Sequence, residues 1–266
     1  MDLAEKGSGG IAGRSTRVNS IKKLLAVNGF RAIDLGSNEG YNCFDLHEAG
    51  CKEVVGIEIR DRFLRKAEHE RQRLGYDRVQ FFNKDVRKID EYGLGKFNLC
   101  LCTGLLYHMQ NPFNLLKRIR NICNTLVLET HVSPSYLHFF LAGKKYRCNL
   151  SLIKSRIHLD GEPFSGRLNI FPATVNMHDT SGSSFSYTTF WFDIESLKNA
   201  LVLAGFKVSV LYFSDTPRGY PKISVNHGYK RTKVFLVADV IDKSIYIPVE
   251  DGTIVGNELL IKSIKI

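Results

Sequence analysis

The segment Ala32–Phe44, AIDLGSNEGYNCF, decides the fold of this chain. It begins as a short apolar strand that ends in Asp34, crosses a polar turn bracketed by Gly36 and Gly40, and then continues as an amphipathic helix. An ordinary strand-to-helix turn needs one glycine at most, so the second suggests that another group comes close to the backbone. We therefore expect a ligand above this turn.

Strands and helices alternate along the chain from Arg31 onward. The predicted strands are RAIDLG, KEVVGIEI, RVQFFNKDV, KFNLCLCTG and NTLVLETHV. Helical segments separate them; one closes at Gly75 and another begins at Asn111-Pro112, a pair typical of a helix start. Apolar strands separated by helices predict a parallel sheet that is covered on both faces. Such sheets bind ligands at the carboxyl ends of their strands.

Acidic residues follow the predicted strands. The spacing from Gly36 to Glu58 matches a βαβ unit whose second strand presents an acid to a ribose diol. Asp85 ends the third strand, where it could accept a hydrogen bond from an adenine amino group while Val86 packs on the ring. The alternative is that both acids only cap their strands in solvent, which explains acids at three consecutive strand ends less well.

The turn does not match the dinucleotide fingerprint GxGxxG. That pattern would place glycine at position 38, where this chain has Asn38. Asparagine is the non-glycine residue that best adopts a left-handed conformation. The turn therefore suits a nucleoside with a small charged appendage better than a pyrophosphate.

The composition is that of a globular chain, with 266 residues, 44% of them hydrophobic and 24% charged. The absence of a run of about 18 apolar residues predicts no membrane span, and the polar N-terminus does not resemble a signal peptide. The six cysteines lack paired zinc-site spacing, so we expect a reduced, cytoplasmic protein.

The formal net charge of +10 makes an acidic partner such as a nucleic acid plausible. Much of that charge lies in Arg60–Arg78, where acids are interspersed at helical spacing. This pattern is more typical of a solvated helix face than of a binding face.

The motifs together resemble the class I S-adenosylmethionine-dependent methyltransferases. The residues that carry the resemblance are IDLGSNEGY, VVGIEIRD, NKDV, FNLCLCTGLLYHMQNPFNLLKRIRN, LVLETHV and FWFDIESLKNALVLAGF. Within that class, GLLYH…NP and LVLET resemble the branch that includes the tRNA wobble-uridine-modifying enzymes. The resemblance covers Arg31 to Asp239, apart from an insert at 133–186.

The resemblance implies a Rossmann-like, doubly wound α/β fold. Its sheet would be mostly parallel and seven-stranded, with an antiparallel edge strand. We expect an N-terminal lead-in and helix at 1–30, a methyltransferase core at 31–132 and 187–240, a lid that binds substrate at 133–186, and a C-terminal extension with a hairpin at 241–266.

The resemblance also implies S-adenosylmethionine as the cofactor. Four turn residues would line its methionine moiety, Glu58 would hold the ribose, and Asp85 with Val86 the adenine. Thr103, Gly104 and Tyr107 would close over the sulfonium. The complete predicted cofactor set is Asp34, Gly36, Ser37, Asn38, Gly40, Glu58, Ile59, Asp85, Val86, Thr103, Gly104 and Tyr107.

Wobble-uridine enzymes of this branch use a carboxylated cofactor and carry a basic, tryptophan-containing segment before the first strand. This chain has only GIAGRSTR there. We therefore expect ordinary S-adenosylmethionine and a different acceptor.

Methyl transfer to a hydroxyl or an amine requires a base that takes the proton. His108 and His131 follow the fourth and fifth strands, and His178 stands beside Asp179 in the insert. These three are the predicted catalytic residues, although each could instead be a structural hydrogen-bonding residue. The spacing of Glu129, His131 and His178 is not diagnostic of a metal, and we predict none.

The sequence thus predicts a methyltransferase that acts on an oxygen or nitrogen of a small-molecule or glycan acceptor bound under the lid. One alternative is a tRNA-modifying methyltransferase, which the basic charge favours. Another is a non-catalytic cofactor-binding scaffold on the same fold. The sequence carries no signal for an oligomeric state.

Overall fold

Five parallel strands form the centre of the molecule in a computed structural model. The strands are β1 (Arg31–Leu35), β2 (Glu53–Ile57), β3 (Val79–Phe82), β4 (Phe97–Thr103) and β5 (Cys123–Val132). They lie in the order β3-β2-β1-β4-β5. Most of their residues are buried because helices cover both faces, which explains their continuous apolar sequences. The structure describes residues 21, 25–133, 154–170, 188–214, 224–226 and 229–242.

Among residues 25–242 that the structure describes, four α-helices connect or flank these strands: α1 (Tyr41–Glu48), α2 (Asp61–Leu74), α3 (Pro112–Ile122) and α4 (Ile194–Leu203). Short 3₁₀ helices span Val86–Glu91 and Leu106–His108. The helix ends follow the sequence signals. Asn111 and Asp193 accept hydrogen bonds from the backbone N–H of Asn114 and Ser196, at 2.9 and 2.8 Å, and Gly75 ends α2 in a left-handed conformation.

The antiparallel edge predicted for the main sheet is confirmed. Two strands form this edge, β9 (Phe206–Ser214) and β11 (Tyr229–Val240), and β11 is antiparallel to both β5 and β9. A short strand, β10 (Ser224–Asn226), pairs with the start of β11 and makes the sheet eight-stranded. The predicted α/β doubly wound fold is therefore confirmed, with one strand added.

A second sheet was not predicted. It contains β6 (Lys154–Leu159), β7 (Glu162–Ile170) and β8 (Thr188–Phe192) in antiparallel order. Backbone hydrogen bonds join it to the core: Phe190 donates to Met109 at 3.0 Å, and Ser133 donates to Phe192 at 2.8 Å. Phe164, Phe190 and Phe192 are buried in the main hydrophobic core. Part of the predicted lid segment is thus a sheet packed on the core.

Other sequence expectations fall largely outside the described residues. The terminal hairpin and most of the lead-in lie there, although Ile21 is helical and buried. The domain boundaries therefore stay predictions. The five described cysteines are free and buried among apolar side chains, and burial raises the pKa of Cys51 to about 11. In the described ranges, no helix is long and apolar enough to cross a membrane.

Candidate cofactor site

The turn after β1 has the predicted left-handed conformations. Gly36, Asn38 and Gly40 have φ values of 71°, 52° and 83°. A Cβ on Gly40 would lie 2.6 Å from the Phe81 ring and 3.0 Å from the Phe44 ring. The second glycine is therefore required by its own φ and by the phenylalanines packed against it. This differs from the expectation that the approach of a ligand requires it.

Glu58 follows β2 and lies beside this turn with only 2% of its surface exposed. Its Oε2 accepts a hydrogen bond from the Asn38 backbone N–H at 3.0 Å. Its Oε1 accepts from the backbone N–H of Arg60 at 2.9 Å. The guanidinium of Arg60 donates two further hydrogen bonds, from Nε to Oε1 at 2.8 Å and from Nη2 to Oε2 at 2.9 Å. The carboxylate is thus fixed at the strand edge and faces a cation.

Asp85 follows β3 and repeats this arrangement. Its carboxylate accepts hydrogen bonds from the backbone N–H, Nε and Nη2 of Arg87. Burial raises the pKa of Asp85, but the hydrogen bonds and charge of Arg87 outweigh burial and hold the pKa below its ordinary value. Val86 is buried next to it, and the hydroxyl of Tyr92 contacts the Asp85 backbone.

Asn42 joins the ends of β1 and β4. Its Nδ2 donates to Asp34 Oδ2 and to Thr103 Oγ1, both at 3.2 Å. Asp34 is fully buried, so the hydrogen bond from Asn42 offsets part of the cost of burying its polar carboxyl group. Asn42 was missed from the sequence because an asparagine in the first turn of a helix is an ordinary choice at that position.

Three further predicted residues lie around this turn. Ser37 is 4% exposed, and its Oγ has no hydrogen-bond partner among the described residues. Ile59 follows Glu58, and its carbonyl accepts a hydrogen bond from Asn83. Gly104 has a φ of 75°, and a Cβ there would lie 3.7 Å from the hydroxyl of Tyr107.

An aromatic cluster lies at the carboxyl ends of β4 and β5. The ring of Tyr107 is 4.3 Å from the rings of both His108 and His131, measured between centroids. His131 is 5% exposed and stacks on Trp191 at 5.2 Å. The Trp191 Nε1 donates to the Tyr107 carbonyl at 2.8 Å, and the Arg167 guanidinium lies 5.3 Å from the Trp191 ring centroid. The β8 strand thereby fixes Tyr107 and His131.

The structure brings all the predicted cofactor residues to the carboxyl edge of β1–β4, and it places His108 and His131 beside Tyr107. His178 lies outside the described residues. Within the ranges the structure describes, no group of three or more histidine, cysteine or carboxylate side chains could hold a metal.

Sequence reasoning also missed Arg60 and Arg87. The available signal was the acid-x-arginine spacing, which recurs as EIR after β2 and DVR after β3. An arginine two residues from an acid is common on protein surfaces, so the spacing alone does not show that both acids are paired.

Comparisons with known proteins agree with this geometry. Residues 26–138 match the family model described as a methyltransferase domain. A tRNA U34 carboxymethyltransferase of Campylobacter hominis is 28% identical over 115 residues, which cover 41% of this chain and 38% of the relative. The corresponding protein of Idiomarina loihiensis is 27% identical over 184 residues, covering 66% of this chain and 56% of the relative. The chain thus matches between about two-fifths and just over half of these relatives' length.

Solved structures share the fold. The N-terminal domain of EvdMO1, determined in the presence of SAH and D-fucose, has a TM-score of 0.63 and 24% identity, covering 85% of this chain and 82% of that chain. Magnesium protoporphyrin IX methyltransferase (ChlM) from Synechocystis PCC 6803, with bound SAH, has a TM-score of 0.52 and 15% identity, covering 86% of this chain and 82% of that chain. At these identities the likeness concerns the fold alone.

The predicted acceptor needs correction. The curated relatives are consistently named tRNA U34 carboxymethyltransferases. The expectation of a small-molecule or glycan acceptor, and of such a molecule as the main partner, is therefore wrong. The predicted resemblance to the class I S-adenosylmethionine-dependent methyltransferases and the predicted cofactor are confirmed: residues 26–138 match a methyltransferase domain, and solved structures of the same fold hold SAH.

Proposed function

We propose that this protein is an S-adenosylmethionine-dependent enzyme that modifies tRNA. One combined observation carries the proposal. The acids Glu58 and Asp85 lie fixed at the edge where a cofactor would bind, and the curated relatives are named tRNA U34 carboxymethyltransferases. The formal net charge of +10 supports a polyanionic partner. A uridine of tRNA, with position 34 first, is the acceptor to test.

The chain offers suitable groups for each part of the cofactor. Glu58 would accept hydrogen bonds from the ribose hydroxyls, and Asp85 from the adenine amino group beside buried Val86. The first turn of α1 has no side-chain cap, and the N-terminus of a helix favours a carboxylate. The buried Oγ of Ser37 supplies a further polar atom in the turn. Bound S-adenosylmethionine would supply an electrophilic methyl group.

The acceptor would lie on the other side of this edge, next to Tyr107 and His108. Both side chains are partly exposed, whereas His131 is 5% exposed behind Tyr107. We assign His108 the role of base and His131 a positioning role, because a base must reach the acceptor proton. Holding the acceptor in line with the methyl would supply much of the acceleration. The cytoplasmic location expected from the free cysteines fits a tRNA acceptor and belongs to this proposal.

The experiment is transfer of label from methyl-labelled S-adenosylmethionine to purified tRNA. Wild-type protein should label tRNA, and nuclease should release the label. Glu58→Ala should lose transfer at least about a hundredfold through lost cofactor binding, because it removes buried acceptors for two hydroxyls. The matched control is Glu70→Ala on α2. The Glu70 carboxylate pairs with Arg73, whose side chain is 59% exposed, so this substitution should leave transfer unchanged. Equal loss in both variants, or no label in tRNA, would contradict the proposal.

A further inference from the structure

The guanidinium of Arg60 makes the same two-pronged contact with Glu58 that a ribose diol would make. Its Nε donates to Oε1 at 2.8 Å and its Nη2 to Oε2 at 2.9 Å, one donor on each carboxylate oxygen. A ribose likewise presents two neighbouring O–H donors to the two oxygens of an acid at this strand end. Arginine is well suited to such a fork because its donors are planar and parallel.

Counting acceptor positions shows that the two partners exclude each other. An ionised carboxylate has about four lone-pair positions. On Glu58 the backbone N–H groups of Asn38 and Arg60 take one position on each oxygen, and the Arg60 guanidinium takes the other on each. With 2% of its surface exposed, Glu58 has no open side from which another donor could approach. The backbone donors are fixed by the fold, so only the guanidinium can leave.

We propose that Arg60 is an internal competitor for the cofactor ribose and thereby sets the affinity of the site for S-adenosylmethionine and its product. The cofactor exchanges its two hydroxyls for the two side-chain donors of Arg60, while the Asn38 and Arg60 N–H groups keep Glu58 in place. The inference rests on the proposed cofactor placement at Glu58, and it is independent of the identity of the acceptor.

Two observations support the exchange. The Arg60 side chain is 19% exposed, so its guanidinium can move towards solvent when it leaves Glu58. The guanidinium also lies 4.3 Å from the centroid of the Phe63 ring, a cation–π contact that does not depend on Glu58. Asp85 has a similar arrangement: Nε of Arg87 donates to both carboxylate oxygens, Nη2 donates to Oδ2, and the arginine side chain is 52% exposed. Both predicted adenosine contacts are thus covered by an arginine two residues downstream.

The test is the affinity for S-adenosylhomocysteine, measured by calorimetry on the full-length chain. Arg60→Met keeps an unbranched side chain for Phe63 and removes both donors. It should tighten binding about two- to fivefold, which corresponds to the stabilisation that a partly exposed ion pair provides. Arg60→Lys keeps the charge without the fork and should fall between wild type and Arg60→Met. The matched control, Arg73→Met, removes a two-pronged pair with Glu70 on the surface of α2 and should leave the affinity unchanged.

Two nucleosides test whether the effect of Arg60 depends on the ribose hydroxyls. Adenosine should gain affinity in Arg60→Met, whereas 2′,3′-dideoxyadenosine, which lacks both hydroxyls, should not. Thermal unfolding of each variant identifies any loss of folded protein.

The outcomes separate the inference from the proposed function. If wild type binds S-adenosylhomocysteine, Glu58→Ala loses it, and Arg60→Met binds equally or more weakly, Arg60 is not a competitor although the cofactor placement stands. An equal gain for both adenosine probes would also overturn the inference. If wild type does not bind S-adenosylhomocysteine at all, the proposed function fails and the inference fails with it.

Discussion

Phe81 packs against the turn after β1 and explains why two positions, 40 and 56, require glycine. Its ring lies where a Cβ on Gly40 or on Gly56 would be placed, at 2.6 and 2.4 Å. A Cβ on Gly56 would also lie 2.9 Å from Ser37 Oγ. The position of the turn thus depends on an aromatic residue of the third strand, which the sequence of the turn does not reveal.

Gly56→Ala should therefore destabilise the protein and weaken cofactor binding together. We expect a loss of about 2 kcal/mol in the free energy of unfolding, as is typical of overpacking, because Phe81 must move. Gly56 lies in β2 and does not have the positive φ that favours glycine, so the steric contact alone is tested. The measurement is denaturant unfolding together with S-adenosylhomocysteine affinity.

Two variants complete this experiment. Gly29 has a φ of 76°, and a Cβ placed on it would have no atom within 4 Å. Gly29→Ala therefore introduces backbone strain without a steric clash, and it should leave the cofactor affinity unchanged. Adding Phe81→Leu to Gly56→Ala should restore part of the lost stability. A Gly56→Ala protein with wild-type stability and affinity would show that Phe81 does not hold the turn.

At the scale of elements, arginine–carboxylate pairs join neighbouring strands and brace helices. Arg31 of β1 binds Glu53 of β2 with two hydrogen bonds of 2.6 and 2.7 Å, and its guanidinium lies over the Phe97 ring. The hydrogen bond from Arg31 is the main cause of the lowered pKa of Glu53. The hydrogen bond from Arg71 likewise lowers the pKa of Glu68 on α2.

These shifts predict a loss of stability in acid. Each carboxyl has a lower pKa in the folded state than in the unfolded chain, so the unfolded state binds more protons as pH falls, and the free energy of unfolding falls with it. The contribution is fully present above about pH 4.5, the ordinary value for glutamate, and is lost as pH falls through the lower folded-state values. Denaturant unfolding as a function of pH measures it.

Arg31→Met removes the hydrogen bond that lowers the pKa of Glu53. The free energy of unfolding of this variant should therefore depend less steeply on pH below about pH 4.5. Arg65→Met, which removes the exposed pair with Asp61 on α2, is the control and should keep the wild-type slope. A wild-type slope in Arg31→Met would contradict the assignment.

The second sheet is fastened to α3 by a charge pair. Asp160, in the turn between β6 and β7, contacts Lys117 of α3 at 2.7 Å, with only 11% and 13% of the two side chains exposed. It also accepts a hydrogen bond from Asn111 at 3.0 Å. Its φ of 52° lies in the left-handed region, which aspartate and asparagine tolerate.

Asp160→Asn should therefore loosen the second sheet while keeping its turn. The substitution retains an acceptor for Asn111 but leaves the Lys117 ammonium without its charge partner, so we expect a loss of about 1–2 kcal/mol in stability. Amide hydrogen exchange in 154–170 should become faster. Glu195→Gln, which affects an exposed pair with Lys198, should change neither quantity; an Asp160→Asn protein that matches this control would show that the pair does not fasten the sheet.

At the scale of the whole molecule, the alternation of strands and helices was sufficient to predict the main sheet and the edge at which the predicted cofactor residues meet. Each strand from β1 to β5 is apolar enough to be recognised, and residues at strand ends meet at one edge by geometry alone. The φ of Asn38 follows from residue type in the same way. Features of this kind can be predicted from sequence because they depend on neighbouring residues of the chain and not on distant partners.

Features that depend on distant partners could not be predicted. The second sheet needs β8 to pair with β7, yet β7 and β8 are separated by 171–187, and Gly166 is required there because Trp191 and Phe192 cross closely over it. The arginine pairs at Glu58 and Asp85 depend on which way long side chains turn, which spacing does not fix. The sequence also led to the wrong choice between two acceptor classes, with tRNA kept only as the alternative, because the aromatic and basic residues of the insert suit a small molecule and an RNA base equally well.

The most direct test of the account is mass spectrometry of tRNA nucleosides after reaction with S-adenosylmethionine. The tRNA is taken from cells that lack the protein, incubated with wild type or Glu58→Ala, digested to nucleosides and compared. We predict a uridine that gains one methyl group with wild type and is unchanged with Glu58→Ala. Unaltered tRNA nucleosides in a reaction that still consumes S-adenosylmethionine would contradict the central claim that this cofactor edge serves tRNA.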